Sequence, residues 1–298
     1  MNGLSERPLG EREAGIAYSA AAVLPLFFSL IFALIAPAVS PDYENEGWYT
    51  LGLGAYLCSQ LAFLAVVAGV CAFTRQSPAK ALGFCRCHVK FYLIGFVLVF
   101  GMLFGASILA SLFETWMEEL GFTLSGAPVP VDTAGYFAAS LVVVGIIPGI
   151  LEEALFRGVL LGGMKRFPPW AAVLLSGALF SLFHQNLAQT VYQFLFGCVF
   201  ALVVIKSGSL LPAVFMHVLN NAFIIVYQYL GAEPGETASL ILLIAGLIAA
   251  VGGITCLLLC KTPPREERER PRYGVFFLYA SLGILYCAAM WALTLVAV

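Results

Sequence analysis

The sequence predicts an all-α fold, a polytopic membrane helix bundle of about eight to nine transmembrane helices. Three observations predict it. Of 298 residues, 61% are apolar and 11% charged, and the mean hydropathy is +0.95. Soluble domains carry roughly 45–50% apolar and about 25% charged residues. Apolar runs near the ~20 residues that cross a ~30 Å hydrocarbon core recur along the chain. Lysine and arginine fall in alternate inter-run segments, as the positive-inside rule demands. A water-soluble globule, an intrinsically disordered chain and a disulfide scaffold are excluded. A net charge of −2 offers no basic surface for phosphates, so no nucleic-acid partner is expected. The expected partner at this level is membrane lipid.

The runs lie near 16–39, 51–73, 91–113, 136–164, 170–184, 190–205, 210–230, 238–260 and 274–298. The first has an apolar core of about 20 residues, longer than the roughly 7–15 of a signal peptide. It reads as a retained helix, although Ala36-Pro37-Ala38 resembles a cleavage site. The fifth and sixth runs are short, so a tilt or an incomplete crossing is expected there. Pro41-Asp42, Ser77-Pro78, Pro168-Pro169, Ser207-Gly208-Ser209, Pro234-Gly235 and Pro263-Pro264 break the chain between runs. No internal repeat is evident. The organisation reads as N-terminal helices over 1–135, a central unit over 136–230 and C-terminal helices over 231–298.

Fourteen of the fifteen basic residues fall in alternate segments. These hold Arg7 and Arg12; Arg75, Lys80, Arg86 and Lys90; Lys165 and Arg166; Lys206; and the five within 261–272. The intervening loops carry only acidic charges, such as Asp42, Glu118, Asp132 and Glu233. This pattern predicts a multi-pass protein of the cell membrane, with a cytoplasmic N-terminus and an external C-terminus. The eight cysteines sit mostly in apolar runs as small hydrophobes. Cys85-Arg86-Cys87-His88 is the one cluster of metal-binding type, and it lacks the second pair that zinc-finger spacing needs.

The fifteenth basic residue, Arg157, lies inside the fourth run with Glu152 and Glu153. Insertion scales put three such charges at very roughly 8–10 kcal/mol, so the sequence has a reason to keep them. At about 100° per residue, Arg157 stands ~40° from Glu153 but ~140° from Glu152. Glu153 and Arg157 can therefore neutralise each other on one face. Glu152 is left without a partner on its own helix, and a buried carboxylate of that kind suits a general base. The same residues also read as a structural ion cluster that locks helices together.

Two further polar sites follow. His184 closes the fifth run, on one face with Ser176 and Phe180; His217 and Asn221 share a face of the seventh. A lone membrane histidine is usually a hydrogen-bonded packing residue. Two of them, an asparagine at i+4 and a carboxylate pair on a third helix make a stronger set. A carboxylate beside an imidazole can activate water, while an imidazole and an amide can donate to an oxyanion. The inventory fits hydrolysis of a peptide or amide. No Ser-His-Asp set and no HExxH helix competes. A zinc site built from Glu152, His184 and His217 stays open on ligand type, although Asn221 is a poor zinc ligand. His88 sits among basic residues in a loop and is given no role.

Together, Glu152-Glu153-x-x-x-Arg157, Phe180-x-x-x-His184 and His217-x-x-x-Asn221 resemble the EExxxR, FxxxH and HxxxN motifs of the CAAX-protease and bacteriocin-processing (CPBP) intramembrane endopeptidases, also called the Abi family. Phe156-Arg157-Gly158 and Leu211-Pro212-Ala213 add to the likeness. It covers roughly 136–225, with each motif on a separate apolar helix. The resemblance implies a helical core whose water-filled cavity opens toward the cytoplasmic side. It implies catalytic roles for Glu152 as base, His184 as a holder of water, and His217 and Asn221 as the oxyanion hole. Glu153, Arg157 and Phe180 would support them. The implied substrate is a membrane-anchored or lipidated peptide. Family members are described both as zinc metalloproteases and as metal-independent glutamate proteases, and the residue inventory leans to the latter, with no cofactor. A non-proteolytic scaffold or immunity factor of the same fold is the alternative. A proton-coupled transporter would also use buried charge, but it predicts inverted repeats, which the sequence lacks.

One expectation concerns depth. At ~1.5 Å per residue, Glu152 and His184 lie about 20 Å from the cytoplasmic ends of their runs and His217 about 10 Å. Shifted helix boundaries or a tilted fifth helix would bring them level.

Overall fold

In a computed structural model, residues 9–39, 43–122, 129–263 and 269–295 are described. Arg7, Pro41-Asp42, and Arg265 and Arg268 of the last basic segment lie outside them. The described residues form helices and connecting turns and contain no strand. The order is α1 (Glu11–Val39), α2 (Tyr43–Thr74), the short α3 (Pro78–Leu82), α4 (Lys90–Glu119), α5 (Ala134–Gly163), α6 (Pro169–Phe183), α7 (Thr190–Ser207), α8 (Leu211–Leu230), α9 (Glu236–Leu259) and α10 (Tyr273–Leu293). Eight are long and apolar enough to cross a membrane; α6 is the shorter apolar one.

Local chemistry sets these bounds. Pro169 and Pro212 enter the first turns of α6 and α8, where a missing N–H costs nothing. Gly208 and Gly231 end α7 and α8 in the left-handed region, at φ 68° and 55°. Lys206 Nζ caps the far end of α9, donating to the carbonyls of Leu258 and Cys260 at 2.9 and 2.8 Å. Within α4 and α5 the helix widens into π turns at Met102–Ala106, Leu141–Ile146 and Ala154–Leu160. The last two flank Glu152 and Glu153 on either side.

The basic segments meet at one end of the bundle. Leu210 N–H donates to the carbonyl of Gly83, and Ser209 Oγ to that of Cys85. Arg166 bridges Glu11 at 3.0 Å and Glu269 at 2.6 Å. The N-terminal turn of α1, the α5–α6 loop and the α9–α10 loop are thus tied together. At the other end, Gln228 reaches the carbonyl of Val129, and Phe137 stacks on Tyr229.

Two apolar cores form. One gathers Tyr18, Phe156, Phe180 and Phe276 from α1, α5, α6 and α10, with Phe167 of the α5–α6 loop. The other gathers Leu98, Phe196, Phe200, Met216 and Leu257 from α4, α7, α8 and α9. Lipid gives apolar faces no reason to leave it, so close backbone approach drives such packing. A Cβ at Gly105 of α4 would fall on the backbone of Gly246 in α9. Gly105→Val is therefore expected to lower stability by about 1–3 kcal/mol, read as an earlier unfolding midpoint in detergent. An unchanged midpoint would show that α4 and α9 do not depend on this contact.

Candidate active site

The three helices that carry the motifs begin and end within two residues of the bounds read from the sequence. The depth mismatch has another cause. α8 does not start at the level where α5 ends. Leu82 packs on Gly158, and the carbonyl of the next residue, Gly83, receives Leu210 N–H. The start of α8 is thereby seated near Gly158, five residues inside the end of α5. Counting ~1.5 Å per residue from there, Glu153 and His217 come level to within about 3 Å. Gly149 completes the approach, since a Cβ there would meet Val218 at 2.6 Å. His184 arrives by a different route. At about 22 Å, α6 is too short for a full crossing, and His184 follows its last residue, Phe183, in the turn before α7.

Glu153 is fully buried. One carboxylate oxygen, Oε1, takes Arg157 Nη1 at 2.7 Å from its own helix and His217 Nδ1 at 2.9 Å from α8. The ion pair expected from i, i+4 spacing is therefore present, and it has a second cation-capable neighbour. Arg157 Nη2 donates to the carbonyl of Gly197 on α7 at 3.1 Å. Its guanidinium lies 4.3 Å from the centre of the Phe180 ring and 5.3 Å from that of Phe200, a geometry of favourable cation–π contact. One ring belongs to each apolar core, so Arg157 sits at their seam. His217 lies there too, 6.0 Å from Phe180 and 5.5 Å from Phe200.

Glu152 differs. Its side chain keeps 15% exposure, and Oε2 stands 3.9 Å from His217 Nε2. That gap is too long for a hydrogen bond and of a size that one water can bridge. The other oxygen, Oε1, accepts from Gln60 Nε2 of α2 at 3.4 Å. His184 donates from Nδ1 to the carbonyl of Phe180 at 2.8 Å, which leaves Nε2 as an acceptor in the neutral ring. It lies within electrostatic reach of Glu152, His217 and Arg157. Ser181, Thr190 and Trp291 brace the turn that carries it.

Asn221 stands one turn beyond His217 and touches neither glutamate through a hydrogen bond. Its Nδ2 donates to the carbonyl of Val144 at 3.1 Å. Pro148, four residues after Val144, has no N–H to offer that carbonyl, so the amide replaces a missing helix bond. Asn220 Nδ2 donates to Asn221 Oδ1 at 3.1 Å, and Tyr192 OH to Asn220 Oδ1 at 2.8 Å. This chain sets which way the Asn221 amide faces.

The structure thus brings Glu152, Glu153, Arg157, Phe180, His184 and His217 together, with Asn221 at the edge. Sequence reading missed Gln60, Phe200, Tyr192 and Asn220. A signal existed for Gln60, an amide inside an apolar run, and for Asn220 beside Asn221. Aromatic side chains in membrane helices carry none. Among the described residues, no three His, Cys, Asp or Glu side chains are grouped so as to hold a metal ion. Glu152, His184 and His217 are not grouped as such a set, although the Nδ1 bonds of His184 to the Phe180 carbonyl and of His217 to Glu153 leave both Nε2 atoms open.

Comparison with known proteins agrees on the region. Residues 134–223 match the Rce1-like family, described as type II CAAX prenyl endopeptidase Rce1-like. The chain is 22% identical over 217 residues to "Putative membrane peptidase YdiL" of Bacillus subtilis (strain 168), covering 71% of this chain and 84% of that protein. It is 29% identical over 103 residues to "Membrane-embedded CAAX protease MroQ" of Staphylococcus aureus (strain USA300), covering 32% of this chain and 42% of that one. No solved structure matches it.

Proposed function

We propose that this chain, whose residues 134–223 match the type II CAAX prenyl endopeptidase Rce1-like family, is an intramembrane endopeptidase using Glu152 as general base. The observation that carries the reading is the inequality of two adjacent glutamates. Glu153 is buried and paired, whereas Glu152 keeps an open oxygen facing an imidazole across a water-sized gap.

In this reading Glu152 takes a proton from a water whose other hydrogen is held by His184 Nε2. The water oxygen attacks the carbonyl carbon of the scissile bond. With His217 as imidazolium, Glu152, Glu153, Arg157 and His217 sum to zero charge, as a membrane interior favours. Its Nε2–H and the second N–H of the Asn221 amide then donate to the oxyanion. As the tetrahedral intermediate collapses, the proton on Glu152 passes to the departing amine and the C–N bond breaks. No step uses a metal. The basic end of the bundle, with the N-terminus, faces the cytoplasm of a cell-membrane protein and the C-terminus faces outside, on the alternation of charge.

The substrate class is a membrane-anchored or lipidated peptide. The test uses purified protein in lipid vesicles with an internally quenched peptide ending in a prenylated CAAX sequence. The same peptide anchored by an apolar helix serves as second probe. Cleavage of at least one is expected, with one oxygen from ¹⁸O-water in the new carboxyl group. The rate is expected to be unchanged by 1,10-phenanthroline. Failure to cleave either probe, or loss in chelator with recovery on added zinc, would overturn the proposal.

A further inference from the structure

We infer that Gln60, on α2 and outside the matched segment 134–223, is a positioning residue for Glu152, holding one carboxylate oxygen so that the other faces His217. The inference rests on the function proposed above. α2 packs along α5 across both wide turns and the stretch between them, so one of its faces looks onto the glutamates. Gln60 is only 4% exposed, and its Nε2 donates to Glu152 Oε1 at 3.4 Å. Tyr56, one turn earlier on the same face, also lies within electrostatic reach of Glu152.

The amide is unusual for what it leaves undone. Its Oε1 is buried with no hydrogen-bond partner among the described residues, a state that disfavours the folded protein. Turning the amide over would bring that oxygen against the carboxylate, acceptor against acceptor, so the donor has to face Glu152. An apolar side chain of similar size would fill the space without an orphaned oxygen. The amide is therefore held against packing, and its one hydrogen-bond partner among the described residues is the proposed base. Glu152 has no other side-chain hydrogen bond among the described residues. Without Gln60 its carboxylate is free to rotate, and a base misplaced by a fraction of an ångström is a poor one.

Gln60→Leu, in vesicles with the prenylated quenched peptide, is expected to lower kcat about tenfold. KM should stay within a factor of two and the unfolding midpoint should be unchanged or raised. Gln60→Asn, which keeps a donor on a shorter stem, is expected to retain more activity than Gln60→Leu. A packing role predicts the reverse order. Where Gln60→Leu melts earlier than the parent, the unbranched Gln60→Met takes its place in the same comparison. Parent-like kcat in the apolar variant beside an inactive Glu152→Ala would overturn the inference alone. Full activity of Glu152→Ala would overturn the base assignment, and this inference with it.

Discussion

Glu152→Ala is expected to reduce peptide cleavage by at least about a thousandfold, within the usual contribution of a general base, while the protein still folds. The structure explains the second half as much as the first. The Glu152 side chain is partly exposed, accepts one long hydrogen bond and belongs to no close ion pair. Its removal leaves Glu153, Arg157 and His217 in contact. Glu152→Gln keeps the shape and should be as inactive, since an amide cannot take the proton. The readout is product formed per folded enzyme, with the unfolding midpoint measured beside it. If purified Glu152→Ala cleaves at the parent's rate, this glutamate is not the base.

Arg157→Ala should fail in the opposite manner, through folding. The guanidinium is fully buried and bonded to Glu153 and to the Gly197 carbonyl, with Phe180 and Phe200 against it. Truncation strands a carboxylate in the interior, and breaking a buried pair from one side costs about 3–5 kcal/mol. The expected result is a sharp fall in yield and in the detergent unfolding midpoint, with any folded remainder inactive. Glu153→Ala should behave alike, because it strands Arg157. Arg157→Lys keeps charge but not the two-armed geometry, and it should fall between. An Arg157→Ala protein as stable as the parent would show that the pair does not hold the helices.

The sequence was informative where the physics is local. Charge alternation and run length predicted the helices, and i, i+4 spacing predicted the Glu153–Arg157 pair that the structure contains. It was silent where contact depends on how helices are set against one another. The period of a helix gives the direction of His217 but not its height, which the seating of Leu210 on Gly83 determines. Wide turns beside Glu152 leave no compositional mark, and the tie from His217 to Glu153 crosses two helices. Gln60 was visible as an amide among leucines and alanines, yet nothing in its neighbours indicates which helix it faces.

The position of Arg157 between the two apolar cores has an evolutionary consequence. It acts as a rivet, since the halves it joins gain little from their greasy surfaces inside a bilayer. A descendant that does without the proposed chemistry can discard Glu152 at small cost. It cannot discard Arg157, Glu153 and His217 without falling apart, so a fossil of this fold should keep the rivet after it has lost the blade.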